Sequence, residues 1–282
     1  MIKLFKLFLD KIIIRIQKLL SPRIIKVSTN VQKEFILYNP PFNLETRIYW
    51  QGFEKVNCEL KMREIWSSLC SKSNTIFDIG ANTGIFSVLA KVYNPDSLVY
   101  AFEPQPNIYK VLDKNNNLNK FDICCEDKAL SSSKGIFPFY NYGWDPFGSG
   151  NTTAGSLNQK WRPKNQQTIE VEVITLDDYI DFKKIKKIDL MKIDVETFEA
   201  EVIEGYKDNL HLHKPIIILE VQNYNIGNKI NNYFIQNNYS YFNIDEDLGL
   251  IPINELGNDF HRNYLICPNE ELESINSFIK KL

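Results

Sequence analysis

The amino-acid sequence predicts an α/β fold in which a doubly wound, mostly parallel sheet of seven strands follows an N-terminal helical extension. From about residue 75 onward, short apolar runs rich in β-branched residues alternate with segments of helical periodicity. Such β-α-β-α-β alternation requires a parallel sheet with right-handed crossovers. The chain has 282 residues, of which 44% are apolar and 24% charged, so its composition is that of an ordinary globular protein with one large domain.

Residues 1–57 are expected to form an amphipathic helix and an irregular lead-in, and residues 58–282 the domain. In residues 1–20 the basic side chains fall on one half of a helix and the apolar side chains on the other. Such a helix can lie on an anionic membrane surface, and it can equally pack on the domain or on a second copy of the chain. Its apolar runs are too short for a signal-peptide core or a membrane span.

The elements of the domain follow in order along the chain. Strands are predicted at Thr75–Ile79, Leu98–Phe102, Phe121–Cys125, Ile188–Ile193, Pro215–Val221, Tyr239–Ile244 and Asn263–Cys267. Helices are predicted at Val56–Cys70, Ile85–Tyr93, Pro106–Asn117, Phe198–Tyr206 and Ile226–Gln236. The last two strands are expected to be partly antiparallel. Prolines and Gly52 predict irregular structure for residues 21–57.

The alternation is interrupted at about residues 131–170, which we interpret as a loop insertion. A hairpin-like pair of segments, Ile136–Tyr140 and Thr168–Ile174, flanks a stretch rich in glycine, asparagine and serine. Loops of this length inside compact domains are usually functional or mobile. The aromatic side chains within it would either stack on a sugar ring or simply pack as a cover; they are Tyr142, Trp144, Phe147 and Trp161.

Charge and cysteine content exclude several classes of partner. The 33 basic and 35 acidic residues give a net charge of −2, so no overall basic field exists to hold nucleic acid. The five cysteines are odd in number and include no C-x-x-C pair, which argues against a disulfide framework or a zinc ribbon. We therefore expect a reducing, cytoplasmic environment, with peripheral membrane contact through residues 1–20 and homo-oligomerisation as further possibilities.

The sharpest local motif is the loop from Asp78 to Gly84, which follows a strand and opens a helix. Gly80 and Gly84 allow a tight turn and a close approach of the backbone to a ligand, and Asn82 lies between them. The G-x-x-x-G spacing differs from the G-x-G-x-x-G of dinucleotide sites, and the carboxylate of Asp78 would repel a diphosphate. Asp78 instead suits a ligand with an ammonium group and a sulfonium, such as S-adenosyl-L-methionine.

Two further acidic positions extend this site. Glu103 ends the second strand about 25 residues beyond Asp78, roughly the length of a βαβ unit, and is expected to bind ribose hydroxyls. Asp127 and Ala129 follow the third strand, where the loop would border the adenine and an acidic side chain could accept its exocyclic N–H. A plain turn is the alternative for Asp127.

These motifs resemble those of the FkbM family of methyltransferases. The resemblance covers about residues 74–222 and rests on FDIGANTGIFSVLA, VYAFEPQPNIYKVLDKNNNLN, DKALSSSKG, VEVITLDDYI and IDLMKIDVETFEAEVIEG. It implies a Rossmann-like class I methyltransferase fold that transfers methyl groups to oxygen, among others to sugar hydroxyls of natural products and surface glycans. The family commonly has Asp-Val-Glu-Gly in its last motif; here Thr197 takes the place of the glycine.

Candidate catalytic residues lie at the ends of later strands, where open α/β sheets bind ligands. They are Asp194, Glu196 and Glu220, which would contact the acceptor or the methionine end of the cofactor. Lys192 should share a sheet face with Asp194 and keep it ionised. The alternative role for Asp194 and Glu196 is helix N-capping. We expect no metal, although a divalent ion held by all three carboxylates would bind vicinal hydroxyls.

A small-molecule or glycan acceptor is the expected partner, and the leading hypothesis is an O-methyltransferase with a role in polysaccharide biosynthesis. Two other functions remain open on the sequence alone. One is a nucleotide- or nicotinamide-dependent oxidoreductase on a similar fold, which the spacing of the glycine loop argues against. The other is a cofactor-binding module without turnover, against which the combination of Asp78 and Glu103 counts.

Overall fold

The computed structural model describes residues 13, 16–17, 19–40, 43–56, 58–141, 154–162, 166–235, 238–258 and 261–280. Its strands, numbered in chain order, are β1 (Ile24–Ser28), β2 (Glu34–Tyr38), β3 (Thr75–Ile79), β4 (Leu98–Phe102), β5 (Cys124–Glu126), β6 (Ala129–Leu130), β7 (Gly135–Asn141), β8 (Gly155–Ser156), β9 (Gln167–Ile174), β10 (Leu190–Ile193), β11 (Ile216–Glu220), β12 (Tyr239–Asp245), β13 (Gly249–Ile253) and β14 (Asn263–Pro268). Its α-helices are Asn43–Gln51, Leu60–Cys70, Ile85–Tyr93, Pro106–Asn119, Leu176–Lys183, Glu199–Glu204, Lys207–His213, Tyr224–Phe234 and Leu272–Ile275.

The main sheet runs in the order β13-β12-β14-β11-β10-β3-β4-β5. The five strands from β11 to β5 pair in parallel, whereas β14 is antiparallel to both β11 and β12. The predicted doubly wound, mostly parallel sheet is confirmed, and each predicted strand is present. The strand order reverses between β3 and β10, which is where sheets of this kind bind ligands.

The sheet has eight strands, so the predicted number of seven is one too low. The additional strand, β13, forms an antiparallel hairpin with β12 at the edge of the sheet. Its sequence, Gly-Leu-Ile-Pro-Ile, contains Pro252, which argues against a central strand. An edge strand tolerates proline because one of its sides needs no ladder hydrogen bonds.

The irregular lead-in predicted for residues 21–57 is wrong, because β1 and β2 form an antiparallel hairpin and a helix spans Asn43–Gln51. Strict alternation buries Ile25 and Val27 of β1 and Leu37 of β2 in the same core as the sheet. The prolines that suggested an irregular chain lie outside the strands. This part of the chain is therefore built into the domain.

Side chains of helix Pro106–Asn119 complete the hydrogen bonding of β2. The backbone N–H of Ile36 donates to Oδ1 of Asn119 at 2.7 Å, and the N–H of Tyr38 donates to Oδ1 of Asn115 at 2.6 Å. The Nδ2 of Asn115 donates in turn to the carbonyl of Thr83 at 2.7 Å. One asparagine thus joins the N-terminal hairpin to the glycine loop.

The predicted hairpin in the insertion is confirmed as β7 and β9, which pair antiparallel from Gly135 to Asn141. They belong to a second sheet of order β6-β9-β7-β8. Three aromatic side chains of the predicted cover, Tyr142, Trp144 and Phe147, lie outside the described residues. The fourth, Trp161, is buried.

Most of the predicted N-terminal amphipathic helix lies outside the described residues, so its role stays a prediction. Within the ranges that the structure describes, no helix combines the length and the apolar character needed to cross a membrane. The indole Nε1 of Trp50 donates to the hydroxyl of Ser21 at 2.9 Å and thereby ties the end of this segment to helix Asn43–Gln51.

Candidate active site

The glycine loop after β3 has backbone geometry that few other residues tolerate. Gly80 has a φ of 76°, and a Cβ at this position would lie 1.9 Å from the carbonyl oxygen of Asp194. Gly84 has a φ of 86°, and its Cβ would lie 2.4 Å from Cδ1 of Leu112. Both glycines are therefore required by close packing at positive φ. Between them, Asn82 also adopts the left-handed region with a φ of 54°.

Glu103, at the end of β4, is fixed by two backbone donors. Its Oε2 accepts the N–H of Asn82 at 3.0 Å, and its Oε1 accepts the N–H of Gln105 at 2.9 Å. The side chain is only 6% exposed, and burial raises the pKa of this carboxyl to about 7. Each carboxylate oxygen keeps a further lone pair, which is what two ribose hydroxyls require.

One cavity is lined by most of the predicted site residues. Among the predicted cofactor-binding and catalytic residues, those on its wall are Gly80, Asn82, Glu103, Ala129, Asp194 and Glu196. The wall is completed on the outer side by the second sheet, with Phe139 of β7 and Gly155 of β8. The glycine loop, Glu103 and the carboxylates that follow β10 therefore line a single space.

Asp78 is not on the wall of this cavity, which corrects the prediction that it contacts the cofactor directly. The carboxylate is fully buried, and its Oδ2 accepts a hydrogen bond from the hydroxyl of Ser87 at 2.5 Å. Its Oδ1 has no hydrogen-bond partner among the described residues. Burial raises the pKa of Asp78, and the charge of Lys192 counteracts that rise. Asp78 thereby connects the end of β3 to helix Ile85–Tyr93, which begins after the glycine loop.

Three other predicted residues also lie away from the cavity wall. Gly84 shapes the start of the helix but faces Leu112. Asp127 is exposed and does not line the cavity, whereas its neighbours Lys128 and Ala129 do, so its contact with adenine stays a prediction. Glu220 ends β11 beyond the wall, although its charge acts on Glu196.

The predicted pairing of Lys192 with Asp194 is present. The Nζ of Lys192 lies 3.0 Å from Oδ2 of Asp194, and Lys192 is buried. Burial alone would lower the pKa of this lysine, but the carboxylates of Asp194, Asp78 and Glu59 outweigh that effect and raise it above the usual value. Lys192 therefore stays protonated and balances part of the negative charge beside it.

Glu196 is the most strongly perturbed carboxyl on the cavity wall. Burial raises its pKa to about 8, and the charges of Asp194 and Glu220 add to the rise. The amide of Gln222 donates to Oε2 of Glu196 at 2.7 Å and orients the side chain. A carboxyl with a pKa near the working pH can take up a proton from a substrate.

Thr197 stands in the turn that carries Glu196, at the position where the family that the motifs resemble commonly has a glycine. Glu196 and Thr197 have φ values of 57° and 79°, in the region that favours glycine. The hydroxyl of Thr197 accepts a hydrogen bond from Nδ2 of Asn158 at 2.8 Å, and the hydroxyl of Ser156 donates to the carbonyl of Glu196 at 2.7 Å. The turn is thereby tied to the insertion.

The N-capping alternative for Asp194 and Glu196 is wrong. Helix Glu199–Glu204 begins after Phe198, which makes no side-chain cap. The same turn is held by Glu199, whose Oε1 accepts the N–H groups of Val195 and Thr197 at 3.3 and 3.1 Å. Burial raises the pKa of Glu199 to about 8.

Sequence reasoning missed Glu199, Gln222 and Glu59 as parts of this site. Glu199 lies within the last of the motifs quoted above, three residues after Glu196, so its place in the sequence carries a local signal. Glu59 carries a φ of 55° and precedes helix Leu60–Cys70, in a segment distant in sequence. Burial, together with the charge of Asp194, raises the pKa of Glu59 to about 7.

No metal site accompanies these carboxylates in the described ranges, because no three His, Cys, Asp or Glu side chains there are grouped to hold an ion.

Comparison with known proteins identifies the family. Residues 78–243, more than half of the chain, match the profile described as the methyltransferase FkbM domain. The chain belongs to the FkbM methyltransferase family. It is an enzyme of the methyltransferase class, and its cofactor is S-adenosylmethionine.

Three relatives illustrate the similarity to this FkbM-family chain. Methyltransferase sdnD of Sordaria araneosa is 31% identical over 202 residues, covering 59% of this chain and 76% of that protein. The 31-O-demethyl-FK506 methyltransferase FkbM of Streptomyces tacrolimicus is 28% identical, covering 52% and 67%. The 2-O-methyltransferase NoeI of Sinorhizobium fredii is 28% identical, covering 58% and 70%.

Solved structures of methyltransferases are similar at a more distant level. An FkbM methyltransferase from Methylobacillus flagellatus has a TM-score of 0.41 and 14% identity, covering 69% of this chain and 43% of that one. An O-methyltransferase from Bacillus cereus in complex with SAH has a TM-score of 0.40 and 12% identity, covering 73% and 78%.

The residues on the wall of this cavity fit the cofactor. Gly80 lines the cavity and allows the glycine loop to pack directly against the carbonyl of Asp194, and Glu103 keeps a further lone pair on each of its two oxygens. Asp194 supplies negative charge on the same wall, and Glu196 adds to it when ionised, which suits a sulfonium and an ammonium group. These residues would hold S-adenosylmethionine between β3, β4 and β10.

Proposed function

We propose that this chain is an S-adenosylmethionine-dependent O-methyltransferase that methylates a hydroxyl of a sugar in a surface glycan or natural product. The observation that carries the proposal is Glu196, a carboxyl with a pKa of about 8 on the wall of the cofactor cavity. A hydroxyl needs a base to take its proton, whereas an amine acceptor can lose its proton afterwards to water. Two relatives, named for 31-O and 2-O methylation, support oxygen as the acceptor atom.

The chemistry is an in-line displacement at carbon. When bound, S-adenosylmethionine supplies a methyl group attached to a positively charged sulfur. The acceptor oxygen forms a bond to that carbon while the carbon–sulfur bond breaks, its electron pair stays on sulfur, and the hydroxyl proton passes to Oε1 or Oε2 of Glu196. Alignment of the reacting atoms and removal of the proton are the two tasks left to the protein.

Other residues position these groups. Glu103 and the loop from Gly80 to Asn82 would hold the nucleoside end, and Gln222 keeps the carboxylate of Glu196 oriented through its 2.7 Å hydrogen bond. Lys192 offsets the charge of Asp194. This balance matters because positive charge on the reacting sulfur fades in the transition state, so a wall that bound the cation too strongly would slow the reaction.

The test is transfer of a labelled methyl group to a set of free glycosides and glycan fragments. The expected product gains one methyl group as an ether, which periodate resistance and mass spectrometry of fragments identify. Methyl transfer to nitrogen or carbon, or no transfer to any hydroxyl, would contradict the proposal. An NAD-supported oxidation of the same glycosides would favour the oxidoreductase alternative.

A further inference from the structure

A second cavity lies on the other side of the turn at residues 196–198. Its volume is about 700 Å³, within the range of small-molecule sites. Thr197, Phe198 and Gln222 line it, and Phe198 also lines the cofactor cavity. The two spaces are therefore neighbours that share a wall, and Gln222 contacts Glu196 from the side of the second cavity.

The charge of this second cavity is opposite to that of the first. Among its described lining residues, the charged ones are four cations and one carboxylate: Lys160, Arg162, Lys229, Arg262 and Glu201. The chain as a whole has a net charge of −2, so this concentration of positive charge is local. Glu201 compensates one cation through an ion pair of 3.2 Å with Lys229.

The cations come from separate parts of the chain. Lys160 and Arg162 belong to the insertion, Lys229 lies on helix Tyr224–Phe234, and Arg262 immediately precedes β14. All four side chains are exposed to solvent in this cavity. Convergence of this kind from three elements is what recognition of an anion requires, and arginine is suited to hold a carboxylate or phosphate through paired hydrogen bonds.

The cationic wall lies within electrostatic reach of the proposed base. The charge of Arg162 lowers the pKa of Glu196, and the charge of Arg262 lowers the pKa of Glu220, against the larger opposing effect of burial. A molecule in the second cavity would thus have positive groups on one side and, on the other, Gln222, whose amide holds Oε2 of Glu196 at the wall of the cofactor cavity.

We propose that the acceptor carries an anionic group, a carboxylate or a phosphate, which binds to Lys160, Arg162, Lys229 and Arg262 while its hydroxyl faces Glu196. The inference rests on the proposed function, because it assumes that the acceptor enters from this cavity. It narrows the acceptor to an acidic sugar, such as a uronic acid or a sugar phosphate.

Binding to matched probes tests this inference. Pairs of glycosides that differ only in charge, hexuronides against hexosides and sugar phosphates against free sugars, are compared by ligand-observed NMR with S-adenosylhomocysteine present. We expect at least one anionic probe to bind tenfold or more tightly than its neutral partner, and its affinity to fall as salt increases. The carboxylate and phosphate arms distinguish the two sources of charge.

Charge-neutral variants complete the test. Lys229→Gln and Arg262→Gln together should weaken binding of the anionic probe at least tenfold and leave the affinity for S-adenosylhomocysteine within twofold. Lys110→Gln is the matched control, because Lys110 is exposed on helix Pro106–Asn119 and lines neither cavity. Equal binding of charged and neutral probes, no binding of any anionic probe, or unchanged binding in the double variant would overturn the inference.

The methyl-transfer assay keeps the two proposals separable. If a labelled methyl group reaches hydroxyls of neutral sugars only, the proposed function stands and the acidic acceptor is wrong. If no hydroxyl is methylated while anionic probes bind, the proposed function fails and the cationic site remains.

Discussion

Four carboxylates near the strand ends differ in role because their surroundings differ. Asp78 is fully buried against Ser87, Glu103 receives two backbone N–H groups, Asp194 pairs with Lys192, and Glu196 receives the amide of Gln222. Only Glu196 combines a raised pKa of about 8 with a place on the cavity wall next to the second cavity. The environment of each carboxyl, more than its residue type, therefore assigns the proton acceptor.

Glu196→Gln should lower the rate of methyl transfer by about 10²–10⁴-fold, because the acceptor hydroxyl loses its base. Donor affinity should stay within a few-fold. In the unaltered enzyme the base must be ionised, so turnover should rise with pH and level off above about pH 8. Rates measured from pH 6 to 9.5 check both points. Glu204→Gln, at an exposed position, is the control, and a pH profile that is retained in Glu196→Gln would assign the titration to another group.

Glu103→Ala should weaken donor binding at least tenfold. The change removes the acceptors for two ribose hydroxyls and leaves the N–H of Asn82 without its partner, which loosens the glycine loop. Calorimetric titration with S-adenosylhomocysteine measures the effect. Glu103→Gln keeps one oxygen and should retain part of the affinity. Unchanged affinity in the alanine variant would refute the ribose assignment.

At the scale of elements, the turn after β10 joins the cofactor site to the insertion. Its two left-handed residues are costly by about 1–2 kcal/mol each, and hydrogen bonds from Ser156 and Asn158 help to hold them. The threonine that replaces a flexible glycine thus acts as an anchor for residues 154–162. The position of Trp161 and Arg162 over the second cavity depends on that anchor.

Asn158→Ala should therefore loosen residues 154–162 of the insertion, while the backbone strain at Glu196 and Thr197 stays unchanged. We expect a loss of about 1 kcal/mol in the free energy of unfolding and faster amide exchange at residues 155–160. Thr197→Gly removes the same hydrogen bond but also the backbone strain, so its free energy of unfolding should change by less, although exchange rises equally. Thr197→Ser keeps the hydroxyl and is the control. Slower exchange in either of the first two variants would contradict the anchoring role.

The hairpin of β1 and β2 should contribute to global stability, because it is part of the main core. Leu37 is fully buried, so Leu37→Ala should lower the free energy of unfolding by about 2–5 kcal/mol. Lys26→Ala, at an exposed position of the same hairpin, should change it by less than about 1 kcal/mol. Urea titration of both variants measures the difference. A separate, earlier transition for the hairpin would show that it folds independently of the sheet.

The parts of the fold that can be predicted from the sequence are those whose residue pattern within one segment already indicates a strand, a helix or a turn. Buried parallel strands are apolar runs, and the glycine loop marks the end of the first of them, so the sequence predicts every strand of the main sheet except β13. The two-residue strands β6 and β8 of the second sheet are too short to give such a signal. Buried and more exposed residues also alternate along β1 and β2, but the neighbouring prolines predict irregular structure and mask that pattern. Spacing along the chain predicts Asn82 and Ala129 as cofactor contacts, and both line the cavity. Glu59 and the cationic cavity depend on contacts between distant segments, which carry no local signal.

Across the whole molecule, the acidic site makes stability depend on pH. Burial raises the pKa values of Glu59 and Glu103 to about 7, and those of Glu196 and Glu199 to about 8. The folded chain therefore binds more protons than the unfolded chain between about pH 4.5 and 8, and its stability falls as pH rises through that window. His213, whose pKa burial lowers, opposes this trend with a single group.

Urea unfolding at pH 5.5, 6.5, 7.5 and 8.5 should accordingly give a free energy of unfolding that declines as pH rises, at constant ionic strength.

A positively charged methyl donor should favour the ionised carboxylates and release protons when it binds near pH 7, whereas S-adenosylhomocysteine, which lacks the sulfonium charge, should release fewer. Calorimetry in two buffers of different ionisation enthalpy measures that release. Stability that increases up to pH 8.5 would mean that the four acids are ionised in the folded state.

The turn at residues 196–198 lies between the acidic wall of the cofactor cavity and the cationic wall of the second cavity, and this arrangement should control which hydroxyl is methylated. An acceptor held by its anion on one side can reach Glu196 only with hydroxyls at a set separation from that anion. The distance between the cationic side chains and Glu196 then determines which hydroxyl of the sugar ring reaches the base. Moving the charge by one carbon should shift methylation to a neighbouring hydroxyl or abolish it.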